Sequence, residues 1–177
     1  TKMVEDVDTG QLPMSFDDPA YQACYAYWLN LKADRWAPTW RKWDWMALPT
    51  NLIPYFQVVD VHYNTEGAPT DYTYRFWGTA NAAMHQVDMT GKSVNEIRSL
   101  ATRNQVIKQY NKVVEQKQAT GSFYVLQTVE NNIPHTQISL RMPASDDGER
   151  IDQIISFSDW RDELRNKSPD EIMAYSG

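Results

Sequence analysis

Tyr72-Thr73-Tyr74-Arg75-Phe76-Trp77-Gly78-Thr79-Ala80-Asn81, continued by Ala82-Ala83-Met84-His85-Gln86-Val87-Asp88-Met89-Thr90-Gly91-Lys92-Ser93-Val94, is the stretch that decides the fold. Its first part alternates: Tyr72, Tyr74 and Phe76 fall on one side of a strand, Thr73, Arg75 and Trp77 on the other. Period-two alternation marks a half-buried strand, and Gly78 lets the backbone turn sharply at its end. The weakly charged residues that follow predict about two turns of helix, and Thr90-Gly91 predicts a turn. Short helices that follow a strand can lie across a sheet and leave a small pocket beneath them. The Gly91-Lys92-Ser93 triplet imitates a phosphate loop, but the glycine needed five positions earlier is Gln86, so no backbone cradle for phosphate follows.

Outward from this stretch, the chain reads as mixed helix and strand. Residues 1–16 lack periodicity and read as a loose arm. Asp17, Asp18 and Pro19 predict a helix start, with the acids suited to the positive end of the helix dipole. Tyr21, Cys24, Tyr25 and Trp28 then recur at helical spacing through about Lys32. A first strand is expected from Tyr55 to Tyr63, closed by turn-prone residues 64–69. A long helix is expected from about Glu96 to Lys117, with Leu100, Ile107, Tyr110 and Val114 on one side and Gly121 as its stop. Three strands follow, Ser122 to Val129, His135 to Met142 and Arg150 to Phe157, the last two joined across Asp146-Asp147-Gly148 as a hairpin. Residues 161–177 read as a polar helix or tail, so the expected organisation is one domain over 17–160 between two appendages. Two strands, a helical middle and three consecutive strands give α+β with helices on one sheet face.

The residues Tyr74-Arg75-Phe76-Trp77-Gly78-Thr79, followed by Asp88-Met89-Thr90-Gly91-Lys92-Ser93, resemble the PAS-fold family of short, stand-alone alphaproteobacterial proteins. That family shows a strand ending in Gly-Thr and then a Leu-Thr-Gly-basic turn, with Met89 here in place of the leucine. The resemblance covers roughly residues 20–160. It implies a PAS-like five-stranded antiparallel sheet with an N-terminal flanking helix, in a strand order that keeps His62 and His135 apart. It also implies a sensory or regulatory role without an output domain.

Composition bounds the reading independently. A chain of 177 residues with 42% hydrophobic residues and seven tryptophans builds a real core and is not disordered. No apolar run approaches the roughly 20 residues that span a bilayer, and no signal peptide is visible. The single Cys24 cannot form an internal disulfide, which favours a reducing, cytoplasmic setting; the start at Thr1 leaves room for a removed upstream segment. The acids concentrate at the ends: five against one base in residues 1–20, and nine against four in 144–177. With a net charge of −6, the expectation is no nucleic-acid partner and no membrane partner.

Catalytic constellations are thin. His62, His85 and His135 show no metal-ligand spacing, so no metal site is expected. Cys24 falls on an apolar helix stripe and reads as a buried structural thiol. No nucleophile elbow or dinucleotide-binding glycine pattern is present. Asp17-Asp18 and Asp146-Asp147 are explained by a helix start and a turn. Among the chemistries that the PAS resemblance implies, flavin-cysteinyl photochemistry needs a Cys in the short helices, where this chain has Ala82, Ala83 and Met84. Haem ligation commonly uses a His on the long helix, and residues 96–117 hold none; His85 is the nearby imidazole. Both cofactors are therefore argued against, and the cofactor is otherwise open.

Two classes of function remain: a non-enzymatic sensory module for signal transduction, binding a small apolar or amphipathic ligand, a regulatory protein partner or both, and a small NTF2-like α+β enzyme or ligand-binding cone. The first is the expectation. Its pocket would lie between sheet and short helices, walled by Tyr74, Phe76, Met84 and His85 with Tyr124 or Leu126 opposite. The aromatic run Trp36, Trp40, Trp43 and Trp45, set among Arg35, Arg41 and Lys42, closes one end of the core or makes a protein interface. The interface reading adds Tyr21, Tyr25, Trp28 and Leu31 to Trp36 and Trp40, and predicts a homodimer.

Overall fold

The structure, a computed structural model, describes residues 18–127 and 134–159, with side chains except at 123–127, 134–137 and 159. The element order is α1 (Pro19–Lys32), β1 (Phe56–Tyr63), β2 (Pro69–Trp77), α2 (Thr79–His85), α3 (Leu100–Gln116), β3 (Thr120–Gln127), β4 (Pro134–Ala144) and β5 (Gln153–Asp159), with 3-10 turns between α1 and β1 and at Val94–Glu96. The five strands form one sheet in the order β2-β1-β5-β4-β3, every neighbouring pair antiparallel. It is an α+β fold. No helix among the described residues is long and apolar enough to cross a membrane.

Helix α1 starts as its sequence predicts. Asp18 caps it by accepting from the Ala20 N–H at 2.9 Å, and Pro19 takes the first turn, where its missing N–H costs nothing. Asp17 and the arm before it lie outside the described residues, as do residues 160–177. Ala20, Tyr21, Cys24 and Trp28 bury one stripe of α1 against the sheet. Two hydrogen bonds pin that stripe to β4: Tyr21 Oη donates to the Ile138 carbonyl at 2.8 Å, and Trp28 Nε1 to the Pro143 carbonyl at 2.8 Å.

Helices α2 and α3 cover the opposite face. The buried residues of α3 are Val106, Gln109, Tyr110 and Val113; Ile107 and Val114 sit at the edge of this stripe and Leu100 is exposed. The helix is thus rotated from the face that its largest apolar residues predict, and Gln109 is drawn inside to meet a buried charge. The C-terminus also differs from expectation. Lys117 ends α3 in the left-handed conformation at φ 51°, and Gly121 lies inside β3.

A bulge in β2 corrects the central expectation. Val58 pairs with Phe76 and Val59 with Tyr74, which leaves Arg75 as the extra residue on the bulged strand. One inserted residue reverses the facing of everything beyond it. Phe76 therefore leaves the side of Tyr72 and Tyr74 and packs on Trp45, with ring centroids 4.8 Å apart, while Trp77 turns to Tyr74 at 4.8 Å. Gly78 closes the strand because nothing larger fits. A Cβ there would stand 2.1 Å from the Pro54 carbonyl oxygen.

The two faces have different chemistry. On the α1 side, Phe56, Val58, Ile138, Leu140, Met142, Ile155 and Phe157 join α1 and the tryptophan segment in a dry core. On the α3 side, the alternate residues of the same strands include buried Gln57, Ser139, Arg141, Ser156 and Ser158.

Candidate functional site

The site grows from the segment that leaves β2. Asn81 of α2 is fully buried and donates to the Phe56 carbonyl at 3.0 Å, which holds this short helix over the end of β1. Gln86, left-handed at φ 55°, ends the helix and turns the chain back along the sheet. Asp88 accepts from the Thr90 N–H at 2.9 Å, a bond that also holds its carboxyl below the usual range. Gly91, at φ 80°, then makes the turn that the Thr-Gly pair predicts. Its N–H donates to the Tyr74 carbonyl at 2.7 Å, and the Tyr74 N–H donates to the Lys92 carbonyl at 2.9 Å. The Thr-Gly-Lys turn thus pairs with the outer edge of β2. Ser93 and Glu96 form a reciprocal capping box, and Asp71 accepts from Ser93 Oγ at 2.6 Å, anchoring the strap.

Beneath this strap lies a cavity of about 410 Å³. Its floor is the polar face of the sheet: Gln57 of β1, Tyr74 and Trp77 of β2, and Arg141 of β4. Val87, Met89 and Ile97 form apolar walls, and Thr102 and Val106 of α3 close one side. Lys92, Glu96 and Arg98 stand on exposed parts of the lining.

Arg141 is the unusual member. It is 2% exposed, among the largest fully buried side chains of the chain. Its Nε and one terminal nitrogen both donate to Gln109 Oε1, at 3.0 and 2.6 Å, and the other terminal nitrogen donates to Ser156 Oγ at 2.8 Å. Its guanidinium lies 4.6 Å from the Tyr110 ring centroid. Beside the cavity, Trp77 Nε1 is buried without an acceptor. The His85 ring is half-buried, 5.6 Å from Trp77 by centroids, and desolvation holds its pKa below the ordinary 6.5. It therefore faces the cavity as a neutral imidazole near neutral pH.

The structure brings together two of the six expected wall residues, Tyr74 and His85. Phe76 does not join them, because the bulge sends it to the tryptophan side. Met84 is 39% exposed on the outer side of α2, and Met89 lines the cavity instead. Tyr124 and Leu126 take register positions on β3 opposite Gln137 and His135, and their side chains lie outside those described. Arg141 and Gln109 escaped the sequence reading. Their only trace there was polarity at alternate positions of the fourth strand and on the buried side of α3, which reads as a solvated face.

Among the expected interface residues, Tyr21 and Trp28 are buried in the chain's own core. Tyr25, Leu31, Trp36 and Trp40 are partly exposed and pack on that core from outside. Trp43 is buried; Trp45 is half-covered between Phe56 and Phe76. His62 stands on β1, hydrogen-bonded to Thr73 Oγ1 at 2.9 Å, and β5 separates its strand from the strand of His135. Comparison with protein-family models, with curated proteins and with solved structures returns no match to the chain.

Proposed function

We propose that this chain is a non-enzymatic sensory or regulatory module of PAS type, which binds a small ligand in the cavity under the α2 strap and reports its occupancy to a partner protein or a second copy. The observation that carries the reading is the cavity itself. It lies between the sheet and the short helices after β2, where the resemblance implies a ligand site, and has the volume of a small-molecule pocket. The antiparallel sheet with β1 and β5 side by side at its centre supports the same reading. A reducing, cytoplasmic setting fits the single buried Cys24.

The reporting surface is the outer side of α1 and the tryptophan segment, where Tyr25, Leu31, Trp36 and Trp40 keep part of their area in solvent and Met46 is 77% exposed. This is the face behind the sheet from the cavity, so a ligand acts on it through strands that both faces share.

Filling the cavity tests the proposal. Val106→Trp places a large ring in it from α3, and the variant should keep the circular dichroism of the parent while losing any ligand seen by native mass spectrometry of the purified chain. A cavity-filled variant that retains the bound mass would remove the proposed site. Sedimentation over a dilution series, with Met46→Glu beside the parent, tests the surface. A parent chain that stays monomeric at high concentration and captures no partner removes the reporting role.

A further inference from the structure

Among the described residues, Arg141 is a buried cation without a buried anion. Among the described residues no carboxylate lies within ion-pair distance of it; the ion pairs there are Arg75 with Asp60 and Arg150 with Asp152, both at more exposed sites. Its partners, the Gln109 carbonyl oxygen and the Ser156 hydroxyl, satisfy N–H groups but cancel no charge. Gln109 Nε2 and Tyr110 Oη beside it are themselves buried without partners. A fully buried charge is tolerated when it is paired, so the partner is to be sought in the space that Arg141 lines.

We infer that the cavity takes a small amphipathic monocarboxylate, its carboxylate paired with Arg141 and its apolar body against Val87, Met89 and Ile97; the inference rests on the ligand-binding reading above. A guanidinium carries five N–H groups, and three are engaged by protein. The two that remain are one on each terminal nitrogen, donors for the oxygens of a carboxylate. The charges lining the cavity are Arg141, Lys92 and Arg98 against Glu96, and Glu96 already accepts from the Ser93 N–H at 2.7 Å. The balance draws an anion inward. One buried cation neutralises one negative charge, which favours a carboxylate over a doubly charged phosphate. Trp77 Nε1 is a further donor on the same floor.

The test uses 3-phenylpropionate, indole-3-acetate and octanoate, each beside its primary amide, together with inorganic phosphate. Affinities are read by titration calorimetry on the full chain and on the double variant Arg141→Met with Gln109→Leu, which strands neither partner of the buried pair. At least one acid should bind the parent chain, with its amide weaker by at least about 30-fold. The double variant should lose the same factor while keeping the parent's circular dichroism. If that variant does not fold, the acid-against-amide comparison on the parent chain decides alone. Amides that bind as tightly as the acids, or acids that bind the folded double variant unchanged, leave the pocket standing and overturn the carboxylate. Phosphate that binds in an Arg141-dependent way, with no acid competing, also overturns it in favour of free phosphate. If neither acids nor amides bind and no mass co-purifies, both the carboxylate and the ligand-binding reading fall.

Discussion

The two faces of one sheet make opposite use of the same strands. Residues 138, 140 and 142 of β4 with 155 and 157 of β5 are isoleucine, leucine, methionine and phenylalanine, interlocked with α1 and the tryptophan segment. Their alternates, Ser139, Arg141, Ser156 and Ser158, are just as buried and almost wholly polar. The first face is filled: Tyr21 meets Phe157 edge-on at 4.9 Å, and Phe56 stands between Trp43 at 5.9 Å and Trp45 at 5.2 Å. The second leaves a cavity of about 410 Å³ and keeps a guanidinium beside it. Dispersion and water exclusion favour the first arrangement. The second forgoes part of both, and such departures from packing consistency are where function is expected. Stability lives mainly on one face, and the recognition proposed above on the other.

The largest test removes an anchor of the filled face. Trp28→Ala should lower stability by about 3–5 kcal/mol in urea unfolding, because it opens a cavity and leaves the Pro143 carbonyl without its donor. A loss below about 1 kcal/mol would mean that α1 is not part of the cooperative core. A gentler pair of variants compares the faces directly. Val58→Leu adds a methylene to the filled face, where Val58 is fully buried, and should cost about 1–3 kcal/mol. Val106→Leu adds one beside the cavity and should change stability by less than about 0.5 kcal/mol or raise it. Equal penalties would erase the distinction.

Acid should act through the cavity face. The folded-state pKa of His85 lies below its unfolded value, so the unfolded chain binds more protons between those two values. Stability is then greatest above the ordinary 6.5 and is lost as pH falls through the interval beneath it. Melting temperatures at about pH 8 and about pH 5.5 should differ in this sense, and less in His85→Gln. An unchanged pH dependence in that variant would show that His85 is not the group responsible. The smallest effect belongs to the exposed edge. Arg75 pairs with Asp60 at 2.8 Å and lies 6.0 Å from the Trp40 ring centroid, half in solvent, so Arg75→Ala should cost no more than about 1 kcal/mol by the same unfolding measurement. A larger loss would make the bulge, rather than the faces, the feature that holds β2.

The order of elements was legible because each carries local signals. Asp18-Pro19 start a helix by satisfying its first N–H groups, and alternation in β1, β4 and β5 reports strands whatever surrounds them. The site was legible only to the extent that the β2 stretch kept to period two. Arg75 broke the period as a bulge residue, and nothing in Tyr-Arg-Phe-Trp announces which residue a partner strand will skip. Phe76 and Trp77 therefore exchanged places between core and cavity. Met84 and Met89, alike in sequence, were separated by the left-handed turn at Gln86, which left one outside and turned the other in.

By itself, then, the sequence determined the α+β class, the run of helices and strands, the helix start at Asp18 and the Thr90-Gly91 turn, because hydrogen bonds to near neighbours and the period of apolar residues act within a few positions. It also determined that the rings of Trp36, Trp40, Trp43 and Trp45 could not all stay exposed. Only the tertiary structure decided which face of the sheet would be dry. The polar alternates of β4 would read as solvent-facing in any isolated strand; Arg141 is inside because α3 lies over that strand. Arg141 came to line the cavity as a buried cation by the same route. Its meaning depends on Gln109 from a distant helix, Ser156 from the next strand and a cavity closed by the strap after β2, and burial of a charge is a property of that assembly, not of the residue.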